Sequence, residues 1–129
     1  MSYSDEILKR FRAPRYVGTL PLAQPGVGFA QWGRPRDFGL IHYYIRLDDT
    51  DRIVAARFQA QACPVGIAVC DYVAEIIEGM DLAQLQQLSV RQVRQDLQLL
   101  ATQEVKAQIV LDVMQQAVHA AQQLVENIE

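Results

Sequence analysis

Hydrophobic positions along the chain follow two different periods, and the change falls at residue 63. Before it, Leu40–Leu47 steps by twos, with Ile41, Tyr43, Ile45 and Leu47 on one face and His42, Tyr44 and Arg46 on the other. The turn cluster Asp48-Asp49-Thr50-Asp51 follows. Arg52–Ala62 then resumes the alternation, with Ala56, Phe58 and Ala60 opposed to Arg57, Gln59 and Gln61. This pattern predicts a β-hairpin with one polar face. After Cys63 the period becomes helical. Pro64 suits a first helical position, where a missing N–H costs nothing, and Gly79 suits the exit. Ile67, Val73, Ile76 and Ile77 supply the inward stripe between them.

The flanks read as helix and loop. Ser4 followed by Asp5 and Glu6 marks a helix start, Ile7, Leu8 and Phe11 form its apolar stripe, and Pro14 stops it. Between residues 15 and 36, Gly18, Pro21, Pro25 and Pro35 punctuate a loop that leaves room for a short strand near Phe29–Trp32. Asp81 and Ser89 are expected to cap two shorter helices, the second with Gln92 in the capping-box position. Thr102–Ile128 reads as one long helix, with Val105, Ile109, Val113, Ala117, Ala121, Leu124 and Ile128 spaced by threes and fours. The predicted class is α+β, with helices on one face of a small antiparallel sheet.

Composition narrows the picture. A chain of 129 residues that is 50% apolar can bury one core, so residues 1–129 are expected to form a single domain. Mean hydropathy is near zero and no long apolar run occurs, which argues against a membrane span. The N-terminus Met1-Ser2-Tyr3-Ser4-Asp5-Glu6 is polar and acidic, unlike a secretory signal. A net charge of -3 offers little attraction to a nucleic acid. The only cysteines, Cys63 and Cys70, are too few for a disulfide framework. A cytoplasmic setting with reduced thiols is the expectation.

Three segments carry a specific resemblance. Tyr3-Ser4-Asp5-Glu6 with Phe11-Arg12-Ala13-Pro14-Arg15-Tyr16-Val17-Gly18 resembles the opening of the NifU N-terminal/IscU iron–sulphur scaffold family. Ile53-Val54-Ala55-Ala56-Arg57-Phe58-Gln59-Ala60 resembles its strand, Cys63 falls at the cysteine after that strand, and Ile67-Ala68 with Glu75 continues the match. The resemblance implies an IscU/SufE-like fold and a role in iron–sulphur cluster assembly with a cysteine desulphurase or other sulphur-pathway partner. It implies a scaffold rather than an enzyme.

That family builds a [2Fe–2S] cluster on three cysteines, aided by an aspartate and a histidine. The motif largely fails here. Gly33-Arg34-Pro35-Arg36-Asp37-Phe38-Gly39 places Asp37 at the first cysteine and Gly39 at the aspartate. Cys63 keeps the second cysteine. Val105-Lys106-Ala107-Gln108-Ile109, where the third should fall, has neither thiol nor imidazole, and Val110 changes nothing. The family's chaperone-docking prolines are replaced within Thr102-Gln103-Glu104-Val105-Lys106. Clusters are usually held by about four thiolates. The expectation is therefore no stable cofactor on one chain, with iron or a [2Fe–2S] cluster entering by resemblance only and a homodimer as a way to double the donors.

Cys63 and Asp37 remain as candidate metal donors. Cys63 is also the candidate persulphide carrier: a helix cap favours an anionic sulphur, and the resemblance puts the loop carrying Arg34 and Arg36 beside it as stabilising cations. The alternatives are a half-buried residue at a loop-to-helix join for Cys63 and a loop ion pair for Asp37. Cys70, roughly 10 Å further along the helix at about 1.5 Å per residue, reads as buried and structural. His42 reads as solvated, no zinc spacing joins it to His119, and Trp32 reads as half-buried or as a partner anchor. Three functions stay open: a divergent scaffold unable to hold a cluster alone, a single-cysteine persulphide acceptor, and a non-catalytic interaction or regulatory module.

Overall fold

The computed structural model describes residues 3–34 and 39–128, apart from the side chains of residues 123–128. Helix α1 spans Asp5–Arg12 and strands β1, β2 and β3 span Val27–Gly33, Leu40–Leu47 and Ile53–Gln61. Helices α2 (Pro64–Ile77), α3 (Leu82–Gln86) and α4 (Val90–Leu97) follow. A 3-10 turn at Ala101–Gln103 then leads into α5 (Glu104–Ile128). The strands form one antiparallel sheet in the order β1-β2-β3. Helix α5 packs on β1 and β2, α2 on β3, and α1 lies outside on α2. The fold is α+β, with its main helices on one sheet face.

The sheet exceeds the expected hairpin. β1 is a full edge strand of seven residues, paired from Val27↔Arg46 to Gly33↔Leu40. Gly28 is why a glycine-punctuated segment belongs there. A Cβ at that position would lie 2.2 Å from the Ala117 carbonyl oxygen and 2.3 Å from the Ala121 nitrogen, so only glycine lets α5 approach this closely. Ile41, Tyr43, Ile45 and Leu47 face the helices and are buried as the alternation requires. Tyr44 departs from the expected polar face. It is also buried, and Phe29 tilts against it at 5.1 Å and meets His42 edge-on at 5.2 Å. His42 is accordingly half-buried in an aromatic cluster rather than solvated.

Helix ends follow local chemistry. Ser4 Oγ accepts from the Ile7 N–H and donates to the Leu97 carbonyl at 2.5 Å, pinning the start of α1 to the end of α4. The reciprocal capping box forms at Asp81 and Gln84, whereas Ser89 makes only the forward bond to the Gln92 N–H. The last helix starts two residues later than expected because Ala101–Gln103 tightens into a 3-10 turn, its Gln103 side chain accepting from the Leu100 N–H.

One buried charge organises the N-terminal third. Asp71, 1% exposed in the middle of α2, accepts from the N–H groups of Arg15 (2.7 Å) and Tyr16 (3.0 Å) and from the Arg10 guanidinium (2.8 Å). Glu75, one turn on, pairs with Arg15 at 2.6 Å and Arg10 at 3.4 Å. Burial opposes its charge, but the two arginines outweigh that and hold Glu75 below the usual carboxylate range. We expect Asp71→Ala to lower stability by about 3–5 kcal/mol in urea unfolding, because it strands two amides and a guanidinium. Glu104→Ala, which breaks an exposed pair with Arg94, should change it by less than about 1 kcal/mol. Equal effects would show that the Asp71 contacts do not anchor the fold.

Candidate functional site

Cys63 is the N-cap residue of α2, with extended backbone angles (φ -66°, ψ 165°) and Pro64 directly after it. Its carbonyl accepts from the Ile67 N–H at 3.1 Å, which closes the first turn, while its thiol makes no capping hydrogen bond. The sulphur therefore stays free of the helix it caps. Gly66 relieves the packing next to it: a Cβ there would sit 3.0 Å from Ala62 Cβ, while its 4.0 Å approach to Cys63 Sγ would be ordinary contact.

Cys63 is half-buried in a groove of about 370 Å³ lined by Tyr3, Val65, Leu100, Thr102, Gln103 and Lys106. Chain segments far apart in sequence meet here for identifiable reasons. The Ser4–Leu97 hydrogen bond brings Tyr3 toward Leu100, and the 3-10 turn carries Thr102 and Gln103 past the N-terminus of α2. Lys106, on the first turn and a half of α5, is the cation in the lining. Among the described residues, the walls carry no second thiol, no imidazole and no carboxylate. Leu100 and Val105 leave apolar surface exposed near the rim.

Arg34 is exposed just past β1 and is not part of this lining. Arg36 and Asp37 lie outside the described residues. Cys70 is fully buried, and burial, reinforced by the Asp71 carboxylate, pushes its thiol well above the ordinary value. Its carbonyl accepts from the Tyr43 hydroxyl at 3.0 Å inside the core. His42 lines a separate depression with Val17, Leu40 and Gln59, and His119 lines another against α3. Trp32 is 37% exposed, more open than a half-buried core residue. Among the described residues, no group of three or more His, Cys, Asp or Glu side chains is placed to hold a metal ion.

Sequence reasoning found Cys63 through Pro64 and Cys70 through its position on the apolar helix. It missed Lys106 and Tyr3 as neighbours of Cys63, since nothing local in either segment points to residue 63. Its position beside the motif's third-cysteine site was the available signal for Lys106.

Comparison with known proteins fits this geometry. Residues 2–126 match the NifU-like N terminal domain, and the chain belongs to that family. It is 27% identical over 99 residues to the iron–sulfur cluster assembly scaffold protein IscU of Haemophilus influenzae, covering 77% of this chain and 79% of that protein. It is 30% identical over 95 residues to the mitochondrial iron sulfur cluster assembly protein 1 of Schizosaccharomyces pombe, covering 74% of this chain and 50% of that protein. In structure it is similar to the N-terminal NifU-like protein of Brucella abortus, with a TM-score of 0.71, 13% identity and coverage of 93% and 94% of the two chains. The two sequence relatives are iron–sulphur cluster assembly proteins, the first of them a scaffold. No helix among the described residues is long and apolar enough to cross a membrane.

We expect a brief pulse of thiol alkylator to label the Cys63 peptide and leave Cys70 unmodified until the protein is unfolded. Equal labelling of the two peptides by mass spectrometry would show that the burial of Cys70 does not protect it.

Proposed function

We propose that the chain serves iron–sulphur cluster assembly as a single-cysteine sulphur acceptor on a scaffold fold, and does not hold a cluster by itself. The observation that carries this reading is the Cys63 thiol, free of any capping hydrogen bond, in a groove with Lys106 and, among the described residues, without a second thiol, imidazole or carboxylate. Iron is the cargo of such a site, and the residues on hand do not fit a cluster. Cys63 with Asp37 gives two donors where clusters take about four. The partner proposed is a cysteine desulphurase or another persulphide-bearing protein of the cytoplasm, where thiols stay reduced.

A relay needs one thiol. The Cys63 thiolate attacks the terminal sulphur of the donor persulphide, the donor S–S bond breaks, and its electron pair leaves with the donor thiolate. The product is a persulphide on Cys63. Lys106 in the groove, with Arg34 and Arg36 from the loop after β1, are the cations proposed to stabilise sulphur anions during the exchange.

The test incubates the protein with a cysteine desulphurase of its own organism and cysteine, then weighs the Cys63 peptide. We expect added sulphur on wild-type protein and on Cys70→Ser, and none on Cys63→Ser. Lys106→Ala should slow transfer more than Arg34→Ala, because Lys106 lines the groove and Arg34 does not. If sulphur never reaches Cys63, the relay is wrong and a pure interaction module becomes the better reading.

A further inference from the structure

The two edges of the sheet are treated differently. Sheet phase follows from one bond: the Leu47 N–H donates to the Gly26 carbonyl at 2.9 Å, so Gly26, Gly28, Ala30 and Trp32 turn their backbone groups toward β2. On β3 the outward groups are those of Ala56, Phe58, Ala60 and, beyond the bulge, Ile53, and among the described residues all but those of Ala60 are occupied. Ile53 exchanges bonds with Met80 and Gly79 (2.9 and 2.7 Å), and Phe58 with Tyr16 and Gly18 (3.0 and 2.9 Å). The Ala56 N–H donates to Glu78 at 2.9 Å, and its carbonyl accepts from Arg57 at 2.6 Å. That edge is closed from Ile53 to Phe58.

The edge of β1 is open. Val27, Phe29, Gln31 and Gly33 point their backbone groups away from β2. The ends are partly satisfied, since the Val27 N–H donates to Gln24 and the Gly33 carbonyl accepts from the Gln31 side chain. Among the described residues, no such partner is seen for the N–H and C=O of Phe29 and Gln31. Val27-Gly28-Phe29-Ala30-Gln31-Trp32-Gly33 contains no charge and no proline, the devices that usually guard an exposed edge.

We propose that β1 pairs antiparallel with β1 of a second copy of this chain, joining two sheets into one of six strands. The occupant follows from self-complementarity. A two-fold axis at Ala30 overlaps the whole strand and sets Phe29 opposite Gln31 of the second copy, and the reverse. Those two residues carry the free groups, so four backbone hydrogen bonds form. The flanking Arg34 residues fall at opposite ends, apart from each other. So do the two Cys63 thiols, because each follows the β3 end that lies beside Gly33. They stand roughly 20 Å apart along the strands, at about 3.3 Å per residue, so this dimer does not pool them into one cluster site.

Sedimentation and amide exchange over a concentration series test the pairing. We expect wild-type protein to shift from monomer to dimer as concentration rises, with slowed exchange at the Phe29 and Gln31 amides. Gln31→Pro removes an outward N–H that β2 does not use, and should stay monomeric with little change in melting temperature. Gln31→Ala keeps the N–H and should still dimerise. A wild-type chain that stays monomeric at every concentration overturns the proposal, and so leaves an extended segment of another protein as the edge's partner. A dimer that forms without protecting Phe29 and Gln31, or that persists in Gln31→Pro, overturns it as well.

Discussion

The Asp71 carboxylate is the contact on which the rest of the arrangement depends. A charge buried in the middle of a helix is expensive unless every lone pair finds a donor. Here two backbone amides and a guanidinium fill that role, and all three come from the segment Arg10 to Tyr16, the end of α1 and the chain after it. The cost of burying Asp71 is thus converted into a fixed path for that segment. With Arg15 and Tyr16 held on α2, Tyr16 and Gly18 reach the edge of β3 and bond Phe58, and the Arg57 side chain lies over the Tyr16 ring at 5.4 Å.

The groove inherits its shape from these constraints. α2 carries Asp71 in its middle and Cys63 at its start, so the helix that anchors the N-terminal segment also aims the thiol. α1, laid along α2, brings Ser4 to the Leu97 carbonyl and Tyr3 to the groove. α5, let in close to the sheet by Gly28, delivers Lys106. The Cys63 surroundings are a junction of three chain segments on a rigid sheet. The fold of the NifU-like family is retained around a single described thiol at the groove.

Much of this was legible in the sequence because local rules suffice for it. Alternation exposed β2 and β3, Pro64 marked Cys63 as a cap, and an apolar helix buried Cys70. What stayed hidden was non-local. The full length of β1 depends on pairing with β2, which overrides the glycines that suggested loop. Tyr44 looked polar-facing until Phe29 was placed beside it. Asp71 could have been found: an acid inside the apolar run Val65–Ile77 must have partners, and the Pro14-Arg15-Tyr16-Val17-Gly18 motif supplies them. Lys106 lies 43 positions from Cys63 in the sequence, and only the packing of α5 joins them.

On the proposed sulphur-acceptor reading, a fold with one usable thiol has its chemistry limited by donor number rather than by shape. The most direct test of that limit is anaerobic reconstitution with iron and sulphide, followed by desalting and assay of bound iron, acid-labile sulphide and visible absorption. The account predicts a protein that leaves the column without stoichiometric iron and with a flat visible spectrum. A cluster that survives desalting at a fixed ratio to the chain would contradict it.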